Sequence, residues 1–164
     1  RLTGYAREEI IGRNCRFLRG EGTEADLTDP LRAAIAGRRP AIVEIRNYRK
    51  DGSPFRNAVM SAPIFDAGGE VEYFLGSQME VPDEGAKAAP REDAHAAARQ
   101  RIDALTGRQR EILLEMARGK LNKQIAWDLR LSERTIKMHR AAMFRALGVK
   151  TSADAIRVAV EAGY

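Results

Sequence analysis

Cysteine occurs once among the 164 residues, at position 15, so the chain can form no internal disulfide and its fold must be held by packing. A lone thiol suits a reducing compartment, and a cytoplasmic location is the expectation. No run of about 18 apolar residues exists, so no membrane-spanning helix is expected. Only two histidines are present, His95 and His139. Neither has a second ligand or a nucleophile beside it, so His95 reads as solvated and His139 as a structural hydrogen-bonding group. With no acid-base pair and no metal cluster, the chain is expected to be no enzyme and to hold no metal.

What is present begins with charge. Lysine and arginine number 28 against 23 aspartates and glutamates, a net of +5 that is unevenly spread. Residues 1–99 carry 15 basic and 16 acidic side chains, whereas residues 100–164 carry 13 and 7. The basic excess is therefore C-terminal, and clustered positive charge favours phosphate backbones or anionic membranes. Residues 82–90, Pro-Asp-Glu-Gly-Ala-Lys-Ala-Ala-Pro, hold turn formers without apolar periodicity and mark a boundary. The expected division is one domain over 1–81, a linker over 82–101 in which 91–102 is helix-prone, and a second domain over 102–164.

In the first domain, Asn14-Cys15-Arg16-Phe17-Leu18 stands between Gly12 and Gly20. Without such neighbours, a lone cysteine is ordinarily a small buried hydrophobe. Thr23 with Asp26 reads as a helix start and Gly37 with Pro40 as its stop. From Ala41 the pattern changes to period two, giving strands over 41–49, 54–65 and 70–81 with glycine turns between them. Alternation sets three amides among apolar neighbours: Asn47 with Val43 and Ile45, Asn57 with Phe55 and Val59, Gln78 with Phe74 and Gly76. Each amide either bonds nearby backbone or meets a flat heteroaromatic ring edged with carbonyls and ring nitrogens. The opposite face, with Met60, Ala62, Ile64, Val71, Tyr73, Leu75 and Met79, is also apolar. It suits a permanent dimer interface or a docking surface for the C-terminal half.

The run from Gly12 to Gly20, together with these faces, resembles light-oxygen-voltage domains of the PAS fold over residues 1–81. The resemblance implies a flavin cofactor, FMN or alternatively FAD, and a photoadduct between Cys15 and the flavin C4a. It implies that Asn47 and Asn57 read the pyrimidine edge, that Gln78 meets O4 and N5, that Arg16 and Arg32 bind the phosphate, and that Asn14 and Phe74 line the site. Arg19 stands where the family often has glutamine and adds a possible phosphate donor. The chain opens on Leu2-Thr3-Gly4-Tyr5, which reads as the end of a helix, so the first two PAS strands are expected to precede it.

Beyond Leu105 four short helices are expected, with Thr106 and Gln109, Asn122, Ser132 and Ser152 at their starts. Leu105, Ile112, Leu113, Met116, Ile125, Ala126, Leu129, Ile136, Met143, Leu147, Ile156 and Val160 can share one core. The tight Arg130-Leu131 connection has helix-turn-helix spacing. The stretches Leu105–Glu111, Asn122–Ala126, Leu131–His139 and Leu147–Val149 resemble the LuxR-type DNA-binding domain. By that resemblance Lys137 and Met138 reach base edges, with Ala141 on the same face. Asn122, Lys123, Arg134, Thr135 and Lys150 are expected to hold phosphates. The partner is then double-stranded DNA. Arg140 departs from the family's usual apolar residue, so its stem is expected to pack and its head to reach out.

The sequence thus predicts an α+β PAS-type antiparallel sheet, truncated at its N-terminus, followed by an all-α four-helix helix-turn-helix domain. The function expected is a blue-light-regulated transcription regulator. Adduct formation would release the helix-turn-helix domain to form a homodimer through the helix over 153–162. The alternative is a ligand- or redox-sensing PAS regulator without photochemistry.

Overall fold

The structure is a computed structural model that describes residues 2–81 and 91–164, with the side chains of 91–93 left aside. The boundary segment 82–90 lies outside the described residues.

The period-two segments form strands β1 (Ala41–Tyr48), β2 (Pro54–Phe65) and β3 (Val71–Val81). They make an antiparallel meander in the order β1-β2-β3. Directly paired residues share a face, so the pairs Asn47 with Phe55, Ile45 with Asn57 and Val59 with Gln78 bring the three amides together. Ahead of the sheet come the one-turn α1 (Arg7–Ile10), a 3₁₀ turn (Cys15–Leu18) and α2 (Ala25–Ala36). Thr23 does not cap α2. Its hydroxyl donates to the Arg46 carbonyl at 2.8 Å and accepts from the Gly20 amide at 3.1 Å, which ties the loop to β1 instead. Glu24 takes the cap position and spends its carboxylate on the Arg46 amide at 2.9 Å and on Arg56 at 2.5 Å.

The second half holds α3 (Arg91–Asp103), α4 (Gly107–Ala117), α5 (Asn122–Asp128), α6 (Glu133–Leu147) and α7 (Ser152–Glu161). Thr106 and Gln109 cap α4 reciprocally, and Ser132 caps α6 through the Thr135 amide at 3.1 Å. Two expected caps shift by one residue. Leu121 and Thr151 occupy the cap positions, while Asn122 and Ser152 are the first helical residues. At α7 the hydroxyl of Thr151 accepts from the Asp154 amide at 3.1 Å and makes the cap, while the side chains of Asn122 and Ser152 both accept from Arg140.

Ile112, Leu113, Ile125, Ile136 and Met143 are fully buried in the helical core, and Met60 and Ala62 of β2 belong to that same core. The outer face of the sheet therefore docks on the helices through α7 and α4. At the rim, the Phe65 amide donates to the Gly119 carbonyl at 3.0 Å and Gln124 Nε2 donates to the Asp66 carbonyl at 2.7 Å. Gly119 has φ +82°, and a Cβ there would lie 2.4 Å from the Pro63 carbonyl oxygen, so this approach requires glycine.

α3 packs along α7 and satisfies carbonyls at its C-terminal end. His95 Nδ1 lies 3.0 Å from the Glu161 carbonyl and Arg99 Nε donates to the Ala162 carbonyl at 3.2 Å. This corrects the reading of His95 as solvated: exposed C-terminal carbonyls of α7 need donors, and α3 brings them. No helix among the described residues is long and apolar enough to cross a membrane.

Candidate functional site

Between the 3₁₀ turn, α2 and the inner sheet face lies a cavity of about 420 Å³. All the expected cofactor residues except Asn57 line it: Asn14, Cys15, Arg16, Arg19, Arg32, Asn47, Phe74 and Gln78. Asn14 caps the 3₁₀ turn by accepting from the Arg16 amide at 3.1 Å, which fixes the backbone of Cys15 between them. Cys15 is a free, exposed thiol. It is therefore not the small buried hydrophobe that a lone cysteine ordinarily is.

Asn47 and Asn57 are buried, at 3% and 0% exposure. Asn57 Nδ2 donates to Asn47 Oδ1 at 2.8 Å and to Gln78 Oε1 at 3.2 Å, so the three amides form one chain of hydrogen bonds. Asn47 Nδ2 in turn donates to the Arg46 carbonyl at 3.1 Å. Asn57 Oδ1 has no partner. A fully buried acceptor without a donor costs about 1–3 kcal/mol, but Asn57 does not line the cavity, so Asn47 and Gln78 are the amides that a ligand there can meet.

A flavin ring edge, which carries both N–H and carbonyl groups, fits Asn47 and Gln78, and the cations of the lining fit a phosphate. Arg16 and Arg19 line the cavity and have no carboxylate within ion-pair distance among the described residues, as phosphate-binding forks should. Arg32 is bound to Asp29, so its charge is partly answered already.

On the second half, α5 and α6 form a helix-turn-helix joined through Arg130 in the left-handed region at φ 52°. Lys123, Arg134, Lys137, Ala141 and Lys150 are exposed, and Met138 is 63% exposed. Thr135 and Asn122 are half-buried. The hydroxyl of Thr135 bonds that of Ser132 at 2.8 Å, and Asn122 is held by Arg140. The basic face of α6 thus stays open in this arrangement, and the element covered by the sheet is α7.

Two residues escaped the sequence reading. Trp127 on α5 is 84% exposed. Arg157 on α7 is buried, and its Nη2 donates to the Ala58 carbonyl at 3.1 Å, the Ser77 carbonyl at 3.0 Å and Ser77 Oγ at 3.1 Å. Burial depresses its pKa, against the pull of Glu161 and Asp154. A lone charge within Ala155–Val160 was the available signal, since such a charge in an apolar helix face needs a specific partner.

A PAS sheet with a cavity that sets a few polar groups in an apolar lining, followed by a helix-turn-helix, defines a sensor module joined to a DNA-binding module. Residues 1–81 match the PAS domain model, and residues 103–159 match the bacterial regulatory proteins of the luxR family. The structure of the Aureochrome1 LOV blue-light photoreceptor is similar at 38% identity and a TM-score of 0.51, covering 56% of this chain and 72% of that one. A blue-light-activated histidine kinase structure from Erythrobacter litoralis is similar at 32% identity and a TM-score of 0.52, over 68% and 34% of the two chains. Among curated proteins, blue-light-activated histidine kinase 1 of Erythrobacter litoralis (strain HTCC2594) is 54% identical over 50% of this chain and 23% of its own length. The counterpart from Rhizobium johnstonii is 37% identical over 70% of this chain and 29% of its own length. The chain spans only about a quarter of these curated relatives. It belongs to the PAS family in its light-oxygen-voltage branch, joined here to a luxR-family regulatory domain.

Proposed function

We propose that the protein is a blue-light-regulated, DNA-binding transcription regulator, with a flavin sensor over 1–81, a linker over 82–101 and an output domain over 102–164. When bound, a flavin, FMN or alternatively FAD, supplies blue-light absorption and a ring carbon that accepts a thiol. Cys15 is the sulfur donor on this reading. Gln78 is the group that senses the change, because an amide can turn to offer either a donor or an acceptor.

The observation that carries the reading is the position of Arg157. Its three hydrogen bonds land on Ala58 and Ser77, and Ser77 is the chain neighbour of Gln78. A reorientation at Gln78 would disturb β3 one residue away from the contact that holds α7, and release of α7 is the two-state element such a switch requires. α7 cannot serve two partners at once. Ala155, Ile156, Val158 and Ala159 are buried, so a homodimer formed through this helix requires it to leave the sheet first.

The test uses the full-length protein. An absorption spectrum before and after blue light should show reversible bleaching, and dimerisation and duplex binding should rise with it. Cys15→Ala should keep the cofactor and lose both the bleaching and the light response. Colourless protein after reconstitution with flavin, or DNA binding indifferent to light, would overturn the proposal. A peroxide response lost in Cys15→Ala, without bleaching in the parent, would favour a redox sensor.

A further inference from the structure

A second cavity, of about 240 Å³, lies on the other side of the sheet, where the two halves meet. Ile64, Tyr73 and Leu75 of the sheet form one wall, and Met116, Leu121 and Ile156 of the helices form the other. Tyr73 and Leu121 remain 47% and 38% exposed, which leaves apolar surface at the site that the protein does not cover itself. Lys120, Asn122, Arg140 and Ser152 supply the polar part of the lining.

The two cations there differ. Lys120 is neutralised by Glu115 and by Asp128 at 2.7 Å. Arg140 has no carboxylate within ion-pair distance among the described residues. Its guanidinium is half-buried, donates to the neutral side chains of Asn122 and Ser152, and lies 5.6 Å from the Phe144 ring. Burial pushes its pKa down, with no acidic neighbour opposing the shift. A guanidinium has five N–H donors, and a partly desolvated one without a counter-ion favours an anion that can take the remaining donors.

We propose that this cavity is a binding site for a small monocarboxylate with an apolar body, the carboxylate on Arg140 and the body between the sheet and the helices. Size agrees, since apolar cavities of about 150 Å³ already admit benzene. The walls come from both halves, so the ligand binds only while they are docked. It therefore favours the docked form by mass action and opposes release of α7. The site acts as a chemical input separate from the flavin pocket, and its ligand lowers DNA binding.

The experiment uses full-length protein in the dark, with phenylacetate and the uncharged isostere phenylacetamide as probes and hexanoate as an aliphatic carboxylate. Methyl resonances of Met116 and Ile156 should shift saturably with phenylacetate or hexanoate. Phenylacetamide should bind about tenfold or more weakly, the difference expected for a charge-assisted fork. Arg140→Met should abolish that preference and Arg140→Lys should retain part of it. Dark-state affinity for a duplex selected in vitro should fall as phenylacetate is added. The proposal is overturned if neither carboxylate shifts these methyls, if acid and amide bind equally, or if the preference survives in Arg140→Met. A loss of DNA binding in Arg140→Met with no carboxylate effect in the parent would also overturn it and would assign the charge to a DNA phosphate. Bleaching of the same sample by blue light is read separately, so the photosensory reading and this site fail independently.

Discussion

The two halves reach burial by different routes. The helical half builds most of its core from its own side chains, with Ile112, Leu113, Ile125, Ile136 and Met143 all at 0% exposure, and adds Met60 and Ala62 from the sheet. The sheet half buries Leu18, Ile45 and Phe55 outside that core, and presents its outer face to the helices while its inner face meets a cavity where Phe74 remains 37% exposed. A domain whose stability depends on what touches both of its faces is suited to report on either one. The helical half, which does not share that dependence, can keep its fold while its position changes.

Substitution at the shared core tests this contrast most severely. Met60→Ala should cost about 2–5 kcal/mol, because it opens a cavity in a fully buried site. Leu113→Ala should cost a similar amount yet leave one cooperative transition, whereas Met60→Ala should separate the unfolding of the two halves when followed by probes on each. Arg157→Met leaves the Ala58 and Ser77 carbonyls without this donor and should loosen the docking by about 1–3 kcal/mol, read as higher duplex binding in the dark. On the output side, Lys137→Ala should cost about 1–3 kcal/mol and relax sequence preference, while Arg134→Ala should weaken binding to all duplexes and lower the salt slope by about one.

The smallest effect concerns Glu161 at the end of α7. Burial raises its carboxyl above the ordinary 4.5, partly offset by Arg157 and Arg101. The folded state thus holds this proton more tightly than the unfolded chain. The stability this contributes is present at pH below 4.5 and is lost as pH rises through the raised value. Glu161→Gln should flatten that slope and stabilise the protein at neutral pH by less than about 1 kcal/mol, in a denaturation series against pH.

The strands, the helix-turn-helix and most residues lining the cavity under the 3₁₀ turn were legible because each rests on local periodicity or a short motif. Asn47, Asn57 and Gln78 could be grouped by alternation alone. Their hydrogen bonds to one another could not, since cross-strand register joins residues ten and twenty-one positions apart. The caps at Asn122 and Ser152 were read one residue late; at α7 the adjacent Thr151 carries the same kind of hydroxyl and takes the position. Arg157 was missed because its partners lie 80 and 99 residues away. The choice between dimer interface and docking surface for the outer sheet face rested on contacts that no local pattern encodes, and this arrangement is the docked one.

Met60 and Ala62, though carried by a strand, are packed as members of the helical bundle, so the helical core takes in part of a strand that precedes the boundary segment 82–90. Grafting residues 1–81 onto a different effector would leave an oily strip bare along β2. Such chimaeras should precipitate or self-associate unless the new effector offers a matching groove or the strip is recoded with charged side chains.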